Sequence, residues 1–344
     1  MSRVPEPTLE WLLAEDNPAV ATLTRRTLLG EDPAASEALW ARRNEYDPIV
    51  QILHAQLEGG AWDVDARDYQ KYRGTLWQIH FLGELRADGS DERVKRGAEH
   101  AFARQLDDGS WSSSNKRASG AITCLTANVG RALARMGWAR DERVLRALGY
   151  CVALYGEHGC VDCRPLHGYQ LIGHCHMLVP KMLLFLAEVP RDLWPDGAES
   201  LKDACIEALR DKQVFRYTPA EAAAYHEAVS HVPSREWPAF RERFLAEHEL
   251  AGYDERPGWL RFGYPLSYNS DVLEAMWALA AHGEPHRPEY ESALEIIEAA
   301  ADGQMRWTMR NSFNGKMIAD IEKKGAPSKW LTLRALQVLN HFGV

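Results

Sequence analysis

Seven possible metal ligands fall within nineteen residues: Cys160, Cys163, Cys175, His158, His167, His174 and His176. Two residues separate Cys160 from Cys163, a spacing that lets two thiolates face one ion across a tight turn. Cys175 and its flanking histidines would add ligands from the start of the next helix. The ion that such a set suits is zinc. The fourth thiolate is expected from Cys124, for a reason that the repeat supplies below. His176 or His174 could replace one thiolate. Two apart on a helix, they point to different sides and should not both ligate. Four protein ligands close a site and make it structural, whereas three leave a position for water or substrate. The four available thiols favour the closed form. A set of buried thiols without metal is the plain alternative, and a redox Cys-x-x-Cys would need a βαβ context that the sequence lacks. Cys151 and Cys205 lie in helical segments and read as core, and His167 reads as a loop histidine.

The elements that position these residues show themselves as a repeat. Gln56-Leu-Glu-Gly-Gly-Ala-Trp62 is echoed by Gln105-Leu-Asp-Asp-Gly-Ser-Trp111, 49 positions on. Another 49 positions lead to Cys160, and Trp259 and Trp307 are 48 apart. The unit between Cys160 and Trp259 is expected to turn near Phe215. Asp91-Glu-Arg-Val94 recurs as Asp141-Glu-Arg-Val144. Between the marks, residues 76–85, 125–136, 183–187, 291–301 and 331–339 carry apolar side chains at helical spacing or in continuous buried runs. Alternating strand patterns are scarce. The expected fold is all-α, with two helices per unit and about six units. Cys124 lies 13 residues after Trp111 and Cys175 lies 15 after Cys160. The two thiols therefore hold nearly the same place in neighbouring units.

The Gln-x-x-x-Gly-x-Trp phrase resembles the repeat of squalene cyclases and protein prenyltransferases. It is carried by Gln56, Gly60 and Trp62, and again by Gln105, Gly109 and Trp111. The resemblance spans roughly residues 50–344 and implies an α/α toroid, in which inner helices ring a central cavity. Residues 1–57 read as an N-terminal helical cap and residues 58–344 as the toroid domain. The same resemblance implies an apolar or isoprenoid substrate in the cavity. The acid motif of terpene cyclases has its nearest counterpart in Asp63-Val-Asp65-Ala-Arg-Asp68, so Asp65 and Asp68 are the catalytic candidates, although the paired final acids are missing. Carboxylates of a solvated loop or a helix N-terminus would look the same. Cys175-His176 also resembles the zinc-binding pair of lanthipeptide cyclases, without their Gly-rich continuation.

Inner-helix positions expected to face the cavity include Trp77, Tyr264, Tyr268 and Trp277, with Gln78, Asn269 and Trp330. Aromatic walls suit an apolar ligand and could stabilise a carbocation, and they equally suit core packing. Arg261, Arg310 and Lys316 could hold an anionic head such as diphosphate. Residues 218–255 read as extra helices outside the ring or a flap over its rim. The alternative to an enzyme is a non-catalytic ligand-binding or scaffold protein with structural zinc. Across 344 residues, 40 basic against 49 acidic side chains give a net charge of −9, which argues against nucleic-acid partners. No apolar run reaches the length of a membrane helix. The first ten residues lack a signal-peptide pattern, so a cytoplasmic location is expected. Phosphate-loop, Rossmann, G-x-S-x-G and H-E-x-x-H motifs are absent from the sequence.

Overall fold

The computed structural model describes residues 4–63, 68–113, 121–159, 161, 175–217, 233, 236, 239, 254–255 and 257–344. Asp65, Cys160, Cys163 and His174 lie outside the described residues, as does nearly all of 218–255. The described part is all-α, apart from one antiparallel pairing of Arg216–Tyr217 with Asp254–Glu255. Its helices are α1 (Glu6–Leu13), α2 (Pro18–Thr27), α3 (Glu37–Ala41), α4 (Asp47–His54), α5 (Thr75–Glu84), α6 (Glu92–Phe102) and α7 (Thr123–Leu133). They continue with α8 (Glu142–His158), α9 (Val179–Glu188), α10 (Ala198–Asp211), α11 (Val272–Ala281), α12 (Glu291–Ala299) and α13 (Lys329–Phe342). No described helix is long and apolar enough to cross a membrane.

Three of the repeat marks, Trp62, Trp111 and Trp307, are hydrogen-bonded junctions, whereas the indole Nε1 of Trp259 is buried without a hydrogen bond among the described residues. The indole Nε1 of Trp62 donates to the Ile52 carbonyl at 2.6 Å, that of Trp111 to Ala101 at 2.8 Å, and that of Trp307 to Ile297 at 2.7 Å. Each acceptor lies ten residues back, near the end of the preceding helix. The backbone amides of the same tryptophans donate to Thr75, Thr126 and Thr332 Oγ1, on the helices that follow. One residue thus ties α4 to α5, α6 to α7 and α12 to α13, and covers the joint with its indole. Gln56 Nε2 donates to the Gly60 and Arg93 carbonyls, and Gln105 Nε2 to Gly109 and Arg143. Asp91 and Asp141 cap α6 and α8 by accepting from the Arg93 and Arg143 amides. Gly60 and Gly109 turn at φ +86° and +91°. A Cβ there would come within 2.6 Å and 2.4 Å of the Arg96 and Arg146 carbonyl oxygens. Only glycine meets both demands.

Helices α5, α7, α9, α11 and α13 pack each on the next, and α13 packs on α2. All are buried along most of their length; α6, α8, α10 and α12 pack outside α5, α7, α9 and α11. The core helices run parallel, because contacts join equal heights. Gly83 lies against Ala132, Lys181 pairs with Glu274, and Arg334 lies over Trp277. The N-terminal helices are stitched to the far end of the chain. Thr8 Oγ1 donates to the Gln304 carbonyl, Tyr46 to the Ile321 carbonyl, and Gln337 to Thr27. Residues of 1–57 and 58–344 share one hydrophobic core.

Candidate ligand pocket at the C-terminal ends of the core helices

The core carries charge at one end. Glu84, in the last turn of α5, is ion-paired with Arg131 at 3.1 Å and accepts from Arg135 at 2.9 Å and Arg334 at 2.7 Å. Glu188, ending α9, takes Arg135 Nε at 2.7 Å and both terminal nitrogens of Arg86 at 3.0 and 3.1 Å. Helices α5, α7, α9 and α13 therefore meet through six side chains. The chain continues from α7 into a π-helical stretch, Ala134–Trp138. Arg131 and Arg135 both reach Glu84 across this join. Burial pushes the Glu84 carboxyl up, but the guanidinium charges of Arg131, Arg135 and Arg334 outweigh it and hold it well below its ordinary range. For Glu188, burial again opposes, and Arg86 and Arg135 bring the carboxyl down to about 2. Burial, then the like charge of Arg135, lowers Arg131 to about 9, which still leaves it cationic near neutral pH.

Beside this cluster opens a pocket of about 390 Å³, bordered by Arg86, Arg135, Arg334, Trp277, Trp330 and Asn340 among others. Trp277, on α11, lies 5.4, 5.3 and 4.3 Å from the guanidinium carbons of Arg131, Arg135 and Arg334. The lining carboxylate and histidine are engaged. Glu84 is held by three arginines, and His341 Nε2 meets the Glu284 carbonyl at 2.8 Å. This arrangement can bind and orient a ligand. The sequence reading missed Glu84, Glu188, Arg86, Arg131, Arg135 and Arg334. Their one signal was charge interrupting buried apolar runs, as Glu84 does in 76–85 and Arg334 in 331–339.

The five aromatic residues expected to line a cavity separate. Trp277 and Trp330 border the pocket. Tyr264 stacks on Trp330 at 5.2 Å and donates its hydroxyl to the Glu84 carbonyl at 2.6 Å. Trp77 packs with Tyr72, Tyr268 and Phe313 near the opposite end of the core. Trp77, Tyr268 and His80 border a void of about 10 Å³, one water's worth of space. His80 is driven down to about 4 by burial and is neutral. Arg261, Arg310 and Lys316 are exposed and border none of these spaces. Asp68 is buried and bridges His100 at 2.8 Å and Arg104 at 2.7 Å, which ties its loop to α6 and the turn after it.

Of the expected zinc ligands, Cys124 stands half-buried at the start of α7, and Cys175 half-buried ahead of α9. The Cys175 amide donates to the Val161 carbonyl at 2.5 Å. His176 is buried against Trp259, ring centres 4.2 Å apart, and its Nε2 meets the Val214 carbonyl at 2.5 Å. Among the described residues, no three His, Cys, Asp or Glu side chains group as a metal site. Cys151 and Cys205 are buried core thiols, as expected, and burial raises both.

No family model matches the chain, and no curated protein matches it. Among solved structures it is similar to one described as the crystal structure of a protein from Actinoplanes. The identity is 15% and the TM-score 0.36, over 90% of this chain and 100% of that one.

Proposed function

We propose that the chain is a ligand-binding helical-repeat protein. Its pocket takes a small molecule with a flat apolar body against Trp277 and Trp330. The observation that carries this reading is the pocket itself, about 390 Å³ beside an aromatic wall and a buried ion cluster. That volume is in the range of small-molecule sites, whereas the 10 Å³ void beside Trp77 is far below it. A ring of six helix pairs, the α/α toroid, is supported by the tryptophan junctions, the parallel core helices and the contact of α2 with α13. Within this reading an isoprenoid is one member of the apolar ligand class. The engaged lining carboxylate and histidine favour binding over proton transfer.

The test is a thermal-shift screen of flat aromatic fragments on the wild type and on Ala281→Trp. Ala281 is exposed at the pocket border, so an indole there plugs the space without entering the core. Fragments should stabilise the wild type and lose their effect on the plugged variant. A screen with no hit, or hits indifferent to the plug, removes the reading.

A second component is a structural zinc held by Cys124, Cys160, Cys163 and Cys175. The hydrogen bond from the Cys175 amide to Val161 favours it, as does the matched placement of Cys124 at the start of α7 and Cys175 just ahead of the adjoining α9. His176 is the weaker ligand because its Nε2 meets Val214. Metal analysis should find one zinc per chain, and Cys175→Ser should lose both the metal and thermal stability. Protein purified without chelators and free of metal would end this component.

A further inference from the structure

We infer that the ligand of the C-terminal pocket is an organic anion, a carboxylate or phosphate carried on a flat apolar body. This rests on the pocket reading above and adds the ligand's charge to it. Four guanidiniums, Arg86, Arg131, Arg135 and Arg334, share two carboxylates, Glu84 and Glu188. Their hydrogen bonds and ion pairs go to those carboxylates and leave two positive charges unmatched. The nearby Lys181 is paired with Glu274, and Asp271 accepts from the Gly263 and Glu274 amides. Neither relieves the excess.

The C-terminal ends of α5, α7 and α11 converge here, each carrying about half a negative charge. They soften the net field but do not occupy the donors. The Glu84 carbonyl takes the Tyr264 hydroxyl. Arg135 Nη2 is buried with no hydrogen-bond partner, on a side chain 1% exposed that borders the pocket. A buried guanidinium nitrogen without an acceptor is costly. A planar fork is matched by carboxylate or phosphate oxygens rather than by a neutral group. Beside it, Trp277 and Trp330 offer apolar surface for the rest of the molecule.

The experiment compares phenyl phosphate, benzoate and neutral phenol by thermal shift, on the wild type, Ala281→Trp and Asn340→Glu. Asn340 is exposed on the last turn of α13 at the pocket border. The two anions should bind the wild type at least about tenfold more tightly than phenol. At a hundred times Kd they should raise Tm by about 4 °C. Ala281→Trp should abolish this. Asn340→Glu should weaken the anions by about threefold through like-charge repulsion and leave phenol unchanged. Phenol binding as tightly as phenyl phosphate, lost in the plugged variant, overturns the inference while the pocket reading stands. No binding of any probe removes both. Anion stabilisation that survives Ala281→Trp places the effect elsewhere on the surface and overturns the inference.

Discussion

Glu84→Gln separates the contributions of the ion cluster. The substitution keeps the shape and removes the charge that three arginines share at 2.7 to 3.1 Å. A surface carboxylate with such partners would be worth at most about 1 kcal/mol. Here the acceptor is 5% exposed, and its arginine partners Arg131 and Arg135 are 3% and 1% exposed. Breaking a buried set leaves cations without a counter-charge and costs about 3–5 kcal/mol. With an unfolding entropy of about 2.1 cal/mol/K per residue, the loss over this chain corresponds to roughly 4–7 °C in Tm. Calorimetry at neutral pH reads it directly.

The pH dependence has a definite sign. Glu84 is depressed in the folded state, so its stabilisation is complete above its unfolded value of 4.5 and fades as pH falls below that. The gap between wild type and variant should narrow as pH drops below 4.5. Ligand affinity should move oppositely to stability. The variant raises the unmatched charge of the cluster from two to three, and should bind phenyl phosphate at least about tenfold more tightly. A Tm within about 1 °C of wild type at neutral pH, or a gap indifferent to acid, would refute the burial argument.

Gln105→Ala should lose two 2.8 Å hydrogen bonds at the second repeat junction, about 1–3 kcal/mol by chemical denaturation. Gly109→Ala should cost more than about 2 kcal/mol, since its Cβ would lie 2.4 Å from the Arg146 carbonyl oxygen at a positive φ. Gly59→Ala, with open space around it, should stay within about 0.5 kcal/mol of wild type, and equal effects at the two glycines would defeat the argument. Burial raises Glu322 to about 7 even though Ser328 and the Lys329 amide donate to it. Its contribution is complete below 4.5 and is lost as pH rises through 7, so Glu322→Gln should flatten a fall of roughly 3 kcal/mol across that window. A pH–stability curve unchanged by Glu322→Gln would show that the carboxyl does not titrate there.

The repeat was legible because its parts act locally. Gln105 reaches a carbonyl four residues on, and Trp111 one ten residues back, so the spacing in the sequence is the spacing of the bonds. The helix over 76–85 and the capping aspartates at 91 and 141 follow from local pattern in the same way. The partners of the aromatic residues were not legible. Trp77 meets Tyr268 and Phe313, which arrive from loops about two hundred residues away and close the space that Trp77 and Tyr268 were expected to line. Nor could sequence distinguish Arg334, buried against Glu84, from Arg310, which is exposed. Both are single arginines beside apolar residues, and only the packing of α13 against α5 assigns one of them to the interior.

Parallel packing explains why the chain tolerates so many buried arginines at this end. Antiparallel neighbours would alternate positive and negative termini and cancel. Parallel core helices instead gather C-terminal carbonyls at one end, where cations are favoured. Arg86 and Arg135 follow the ends of α5 and α7, and Arg334 reaches the same level from within α13. Glu84 and Glu188 then serve less to neutralise the arginines than to aim them, each carboxylate fixing guanidiniums from different helices. An apolar core of the same volume would pack as well without such aiming. Directed donors beside Trp277 and Trp330 are what packing alone does not require, and the proposed organic anion is what they would fit.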